Sequence, residues 1–226
     1  MRRYDVLYLD AMGQIEEMHR MAPAVPVFEA AFGAFSHGTL IDSADGPVAV
    51  EDLVPGMLVQ TRAKGLEPIV WIGSMTLAPI ATAAAFGARL IRLTDGRFGD
   101  GRPRRDLVLG PHARVLRRSP GCLPLFGTDS AFAPVAALVD GVSIIELTPA
   151  SPVRVFHIGL RGQQILYSSG VEVESYHPGR REAWGVSASL QPIFMSLFPH
   201  MDSYSGFGHM TVPRLSEEDA RQIEGM

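Results

Sequence analysis

Short apolar runs broken by turn-forming residues dominate the middle of the chain, from residue 34 to residue 177. Each run is about 4–6 residues long, rich in β-branched or aromatic side chains, and bounded by Gly, Pro, Asp or Ser. The regular spacing of such segments favours an all-β domain over alternating strands and helices. The strands predicted in this way occupy residues 38–42, 57–61, 68–72, 106–109, 144–147 and 153–158.

The two ends of the chain have patterns typical of short helices. Residues 14–21 form a helical candidate that the prolines following it would end. From Trp184 to Phe198 apolar side chains recur at helical spacing, although Pro192 must kink or restart that helix.

Ser216, followed by Glu-Glu-Asp, has the pattern of a capping box that opens a helix running to about Glu224. We therefore predict three zones: a lead segment at residues 1–33, a β domain at 34–177 and a helical extension at 178–226.

A weak internal repeat lies inside the predicted β domain. Residues 47–59 and 134–144 share Pro-Val-Ala followed by Leu-Val-x-Gly-x-x-(Val/Ile), after a two-residue gap in the second copy. Two interpretations stay open. Both segments are strand–turn–strand units with similar turn chemistry, or they are the two halves of a duplicated fold with pseudo-twofold symmetry.

Composition narrows the chemistry. Apolar residues make up 46% and charged residues 19% of 226 residues, which is enough apolar surface for a folded core. The only cysteine, Cys122, excludes an internal disulfide and a multi-cysteine metal site, and we interpret it as a buried small apolar side chain. The net charge of -4 argues against nucleic acid as a partner.

Neither a cofactor nor a metal ion is predicted. The seven histidines have no spacing typical of metal ligands, and no phosphate-binding loop is present. No apolar run approaches the roughly 18 residues that span a bilayer, and Asp5 and Asp10 interrupt the N-terminal apolar stretch. We expect no membrane association and a cytoplasmic location, with export by another signal left open.

Several ordered motifs resemble the Hint (Hedgehog/intein) domain family, above all its bacterial stand-alone members. They are Phe-Ser-His-Gly-Thr-Leu-Ile at 35–41, the strand–turn–strand at 45–59, and the segments 68–73, 106–116, 155–160 and 168–175. The resemblance implies an all-β, horseshoe-like fold with pseudo-twofold symmetry and short flanking helices. It also implies self-cleavage, in which a thiol or hydroxyl attacks the preceding carbonyl and a Thr-x-x-His element helps the amide nitrogen leave.

The family's reacting side chains are missing here when the chain is aligned on Gly38 and Thr39. The cysteine nucleophile falls on Ala34, and the Thr and His of the activating element fall on Gly110 and Ala113. A further family histidine falls near Gln163, and the terminal His-Asn pair of inteins falls on Glu174-Ser175. The resemblance thus implies a degenerate site.

Three neighbouring side chains are fallback candidates. Ser36 lies about 6.6 Å along a strand from the nucleophile position, which is beyond attack distance. His112 is adjacent to the histidine position and should point to the opposite face if both lie on a strand. His157, within an apolar strand, is interpreted as a hydrogen-bonded core histidine.

We therefore predict a Hint-like domain that has lost self-cleavage and acts, without enzymatic activity, as a scaffold or binding module for a protein partner that the sequence does not identify. The first alternative is an active autoprotease that uses Ser36. The second is a module that binds anions or acidic partners through the nine arginines between Arg89 and Arg118.

Overall fold

The computed structural model describes residues 1–79, 89–181 and 185–224. Within these residues the chain forms sixteen strands. In chain order they are β1 (Arg2–Leu9), β2 (Ile15–Ala22), β3 (Phe35–Ser36), β4 (Leu40–Ser43), β5 (Gly46–Ala49), β6 (Leu58–Thr61), β7 (Gly65–Pro68), β8 (Trp71–Leu77), β9 (Leu90–Leu93), β10 (Leu107–Leu109), β11 (Arg114–Arg118), β12 (Ser130–Pro134), β13 (Ile144–Leu147), β14 (Val153–Gly159), β15 (Ile165–Ser168) and β16 (Val171–Glu174).

The strands form two antiparallel sheets. The first has the order β13-β9-β10-β3-β14-β8-β1-β2, and the second has the order β12-β11-β16-β15-β6-β4-β5 with β7 paired to β6. All six segments predicted from the apolar runs contain strands, so the all-β prediction is confirmed. Both copies of the internal repeat have the same local structure, a strand, a 3₁₀ turn and a strand, which fits both interpretations of the repeat.

The helix predicted at residues 14–21 is wrong, because this segment is strand β2. Asp10 accepts hydrogen bonds from the backbone N–H groups of Met12 and Gln14 at 2.8 and 2.7 Å, and Gly13 has a φ of +78°. This turn reverses the chain, so that all eight residues of β2 pair with β1. Strand β1 in turn pairs with β8, and the N-terminal hairpin thus forms one edge of the first sheet.

Two apolar cores lie on opposite faces of the first sheet. Along β8, Ile72 packs into the larger core between the sheets, whereas Trp71 and Met75 face the second core. The ends of the chain cover this second core. Phe28 and Phe32 come from the N-terminal side, and aromatic residues between 194 and 207 come from the C-terminal side.

The helices are short: α1 (Pro26–Glu29), α2 (Leu123–Phe126), α3 (Gln191–Met195) and α4 (Glu217–Glu224). Helix α4 begins as the capping box predicts, because the Ser216 hydroxyl accepts the N–H of Asp219 at 3.1 Å. Pro192 lies in the first turn of α3, so the predicted C-terminal helix starts there, while its predicted beginning at Trp184 lies outside the described residues. No helix within the described residues is long and apolar enough to cross a membrane.

Candidate functional site

The peptide bond between Gly33 and Ala34 lies inside the fold, directly before β3. The Ala34 N–H donates to the carbonyl oxygen of Phe156 on β14 at 2.9 Å, and the Ala34 carbonyl accepts from the N–H of Gly110 at 2.8 Å. The Gly33 carbonyl accepts from the N–H of His112 at 3.0 Å. Ala34 is fully buried. Both polar groups of this peptide therefore have backbone partners and are held in place.

Residues 110–113 form the turn between β10 and β11, and they close over this peptide. The Ala113 N–H donates to the Gly110 carbonyl at 3.2 Å. A Cβ atom built on Gly110 would lie 2.2 Å from the carbonyl oxygen of Gly33 and 3.2 Å from the carbonyl carbon of Ala34. The structure thus brings Ala34, Gly110 and Ala113 together, as the alignment on Gly38 and Thr39 requires. The Gly33 carbonyl occupies the space that a side chain at position 110 would need.

His112 is closer to this peptide than strand geometry suggests. It lies in the turn and not on a strand, so the expected alternation of side-chain directions does not apply to it. Its Cδ2 atom would lie 3.0 Å from a Cβ atom on Gly33. Burial, with smaller contributions from Arg114 and Arg2, lowers the pKa of His112 to about 4. The ring is therefore neutral at pH 7.

The other two fallback candidates are buried parts of strands. Ser36 is only 4% exposed and pairs with Val155 of β14. The Nδ1 atom of His157 lies 3.1 Å from the carbonyl oxygen of Ala30, and since that oxygen only accepts, Nδ1 carries the proton. Burial lowers the pKa of His157 to about 3. This geometry is that of a neutral core histidine.

Gln163 and Glu174 belong to a buried polar cluster. The Gln163 amide donates to Glu174, and its Oε1 accepts the backbone N–H groups of Thr211 and Val212, both at 2.8 Å. The Arg214 Nε lies 2.9 Å from Oε1 of Glu174. The C-terminal extension thus fills the region of the family's last motif. The sequence contains no local signal for Thr211 or Arg214 as partners, because they lie about 40 residues or more further along the chain.

Ser175, next to Glu174, binds the backbone before β15: its hydroxyl accepts the N–H of Gln164 at 2.9 Å.

Cys122 lies in the larger core, where burial raises the pKa of its thiol. No group of three or more metal-ligating side chains occurs in the part of the chain that the structure describes.

Most arginines between Arg89 and Arg118 are engaged locally. Arg117 lies over the ring of Phe98, 4.5 Å from its centroid. Five others lie within 2.6–3.5 Å of carboxylate oxygens, in the pairs Arg89–Glu146, Arg92–Asp106, Arg97–Asp140, Arg102–Asp100 and Arg118–Glu172. The chain's own carboxylates thus offset much of this charge. Arg104, Arg105 and Arg114 have no carboxylate of the described residues within ion-pair distance, and of these Arg114 has a buried Nε without a hydrogen-bond partner.

A family model and several solved structures are similar to this chain. The Hint domain model (Hint_2) matches residues 33–180, more than half of the chain. The bacterial intein-like domain from Clostridium thermocellum is 13% identical, with 64% of this chain and 99% of that domain covered at a TM-score of 0.43. The gp41-1 intein is 12% identical, with 64% and 98% covered at a TM-score of 0.41. The TvoVMA intein is 11% identical, with 62% and 96% covered at a TM-score of 0.42.

No curated protein matches the chain in sequence. The family model covers the segments that hold Ala34, Gly110 and Gln163. The chain therefore belongs to the Hint domain family.

Proposed function

We propose that this Hint domain does not cleave its own chain and serves as an uncut scaffold or binding module. The observation that carries the proposal is the position of the Gly33–Ala34 peptide. It is buried, its N–H and C=O groups are hydrogen-bonded to backbone, and the residue after it has a methyl group where the reaction needs a thiol or hydroxyl.

Proton transfer to the leaving amide lacks a donor as well. Gly110 and Ala113 have no acidic side chain, and the Ala34 N–H already donates to Phe156. The neighbouring imidazole belongs to His112, whose pKa near 4 leaves it neutral at pH 7. A neutral imidazole is a weak acid, so the amide nitrogen would leave unassisted.

The residues before the peptide support the same proposal. In a self-cleaving member, the segment before the site leaves the domain. Here the side chains of Tyr4, Phe28 and Phe32 are fully buried, and Phe32 packs edge-on against Trp71 with ring centroids 5.4 Å apart. Burying such side chains stabilises a fold by about 1.5–3 kcal/mol each. The lead segment therefore contributes to the stability of the whole domain.

Intact mass spectrometry of the purified full-length chain tests the proposal. The protein is incubated with and without dithiothreitol or hydroxylamine and then denatured, so that a cut but still bound segment separates. We expect one species of full mass in every sample. Fragments that begin at residue 34 or 36 and disappear in the Ser36→Ala variant would instead support the active autoprotease.

A further inference from the structure

A cavity of about 730 Å³ opens between the loop after α2 and the C-terminal extension. Three arginines line it: Arg114 from β11, Arg180 from the segment after β16, and Arg214 before α4. No carboxylate is among the lining residues in the described part of the chain. A volume of this size is typical of small-molecule sites.

The three guanidinium groups differ in how they are satisfied. Arg214 is fixed by two groups of the protein: its Nε donates to Glu174, and its Nη2 donates to the carbonyl of His177 at 2.6 Å. Its Nη1 lies on the side of Gly179, where a Cβ atom would come within 3.2 Å of it. The guanidinium of Arg214 is thus fixed in orientation, with one edge left toward the cavity.

Arg114 is the unsatisfied member. Its Nε is buried and has no hydrogen-bond partner among the described residues. Burial and the nearby charge of Arg214 lower the pKa of Arg114. Arg180 is exposed and has no carboxylate of the described residues within ion-pair distance. The Nε atom itself is not accessible, but Arg114 lines the cavity, so an acidic group there would offset the charge of its guanidinium group.

The rest of the wall has a different character. Leu125, Phe126 and Met210 give it an apolar side, and Leu125 is half exposed there. Thr128 and Thr211 also line the cavity, but their hydroxyl groups already donate to Ser130 and Gln163. The cavity therefore combines a cationic end with an apolar wall, which suits a ligand that has both parts.

We propose that this cavity binds a small organic anion, a carboxylate or phosphate group on an apolar body, with the acidic group between Arg114 and Arg180. The planar fork of arginine matches both acidic groups in a two-point hydrogen bond. The apolar body lies along Leu125 and Phe126. This inference does not depend on whether the chain cleaves itself.

Isothermal titration calorimetry of the full-length protein tests the site with four probes: phenyl phosphate, benzoate, inorganic phosphate and benzyl alcohol. Phenyl phosphate or benzoate should bind about tenfold more tightly than inorganic phosphate, and the affinity should fall as NaCl is raised. The stronger of the two identifies the acidic group. Binding of benzyl alcohol equal to that of benzoate, or no binding of either anion at millimolar concentration, overturns the proposal.

Variants locate the binding. Arg114→Gln and Arg180→Gln should each weaken the anion by about tenfold or more, as expected for the loss of a charge-assisted hydrogen bond. Arg20→Gln, which removes the same charge from the exposed strand β2, is the matched control and should bind as the wild type does. Since Arg180 is exposed, its variant remains folded even if Arg114→Gln does not. Wild-type affinity in Arg180→Gln contradicts the site. Wild-type affinity in Arg114→Gln contradicts it as well if that variant is folded.

Discussion

Gly110 is the position where a single methyl group tests the account of the buried peptide. The backbone at Gly110 is not in the left-handed region, so alanine suits its conformation and only space opposes it. A Cβ atom there would lie 2.2 Å from the Gly33 oxygen and 2.7 Å from the Gly33 carbonyl carbon. Atoms of this kind pack at about 3.5 Å, so the two segments must separate by more than about 1 Å.

Such a separation affects two hydrogen bonds that cross the contact, Gly110 N–H to Ala34 and His112 N–H to Gly33. Overpacking costs about 1–3 kcal/mol, and each weakened hydrogen bond about 0.5–1.5 kcal/mol. The smaller entropy of the unfolded alanine variant offsets about 0.4–1 kcal/mol. We therefore expect Gly110→Ala to lower the free energy of unfolding by about 2–4 kcal/mol.

Urea unfolding followed by circular dichroism measures this loss. With a slope near about 3 kcal/mol per molar urea, the midpoint should fall by roughly 1 M. Gly121→Ala is the matched control, because its Cβ atom would meet only side chains, Ile223 at 3.2 Å and the Ser119 hydroxyl at 3.5 Å. Its midpoint should stay close to that of the wild type. A wild-type midpoint for Gly110→Ala would refute the claim that the Gly33 carbonyl fills this space.

Three further perturbations have expected outcomes. Phe32→Ala removes a fully buried ring that packs against Tyr4 and Trp71, so it should lower the free energy of urea unfolding by about 3–5 kcal/mol. A decrease below about 1 kcal/mol would mean that the lead segment is not part of the core. The pKa of His157 is about 3 in the folded chain and 6.5 for an ordinary histidine, so the unfolded chain binds more protons between these values. The free energy of unfolding should thus be highest above pH 6.5 and fall on acidification, by up to about 1.4 kcal/mol per pH unit for this group. His157→Gln should flatten this pH profile. A free energy of unfolding that rises toward about pH 5 contradicts the prediction. Arg214→Leu leaves the Glu174 carboxylate buried without its partner and should lower the free energy of unfolding by about 3–5 kcal/mol. The double variant Arg214→Leu/Glu174→Gln should recover part of this stability. Equal losses in the single and the double variant would argue against the ion pair.

Local patterns in the sequence predict much of the β domain. The short apolar runs at residues 57–61, 106–109 and 153–158 contain strands, because each places alternate side chains in a core. The Gly38-Thr39 alignment also predicts which segments meet at Ala34. Ordered motifs are sufficient for this, since they set the strand register and the strand register brings the segments together.

The parts that the sequence does not predict depend on contacts between distant residues. Strand β2 is exposed on both faces along most of its length, so no alternation of apolar and polar residues marks it, and its pairing with β1 decides its structure. The contact between the Gly33 carbonyl and Gly110 forms only when segments 77 residues apart come together, so no local pattern predicts it. The same holds for Arg214 beside Glu174, a pair 40 residues apart.

The central claim is that the Gly33–Ala34 peptide is held as a structural peptide, and that the loss of the cysteine is not the only obstacle to cleavage. Installing the nucleophile tests this most directly. Ala34→Cys is purified, its fold is checked by circular dichroism, and its intact mass is followed with dithiothreitol or hydroxylamine present. We expect a single species of full mass, because the side chains at Gly110 and Ala113 supply no proton and the peptide keeps its hydrogen bonds. Release of residues 1–33 from folded Ala34→Cys would contradict it.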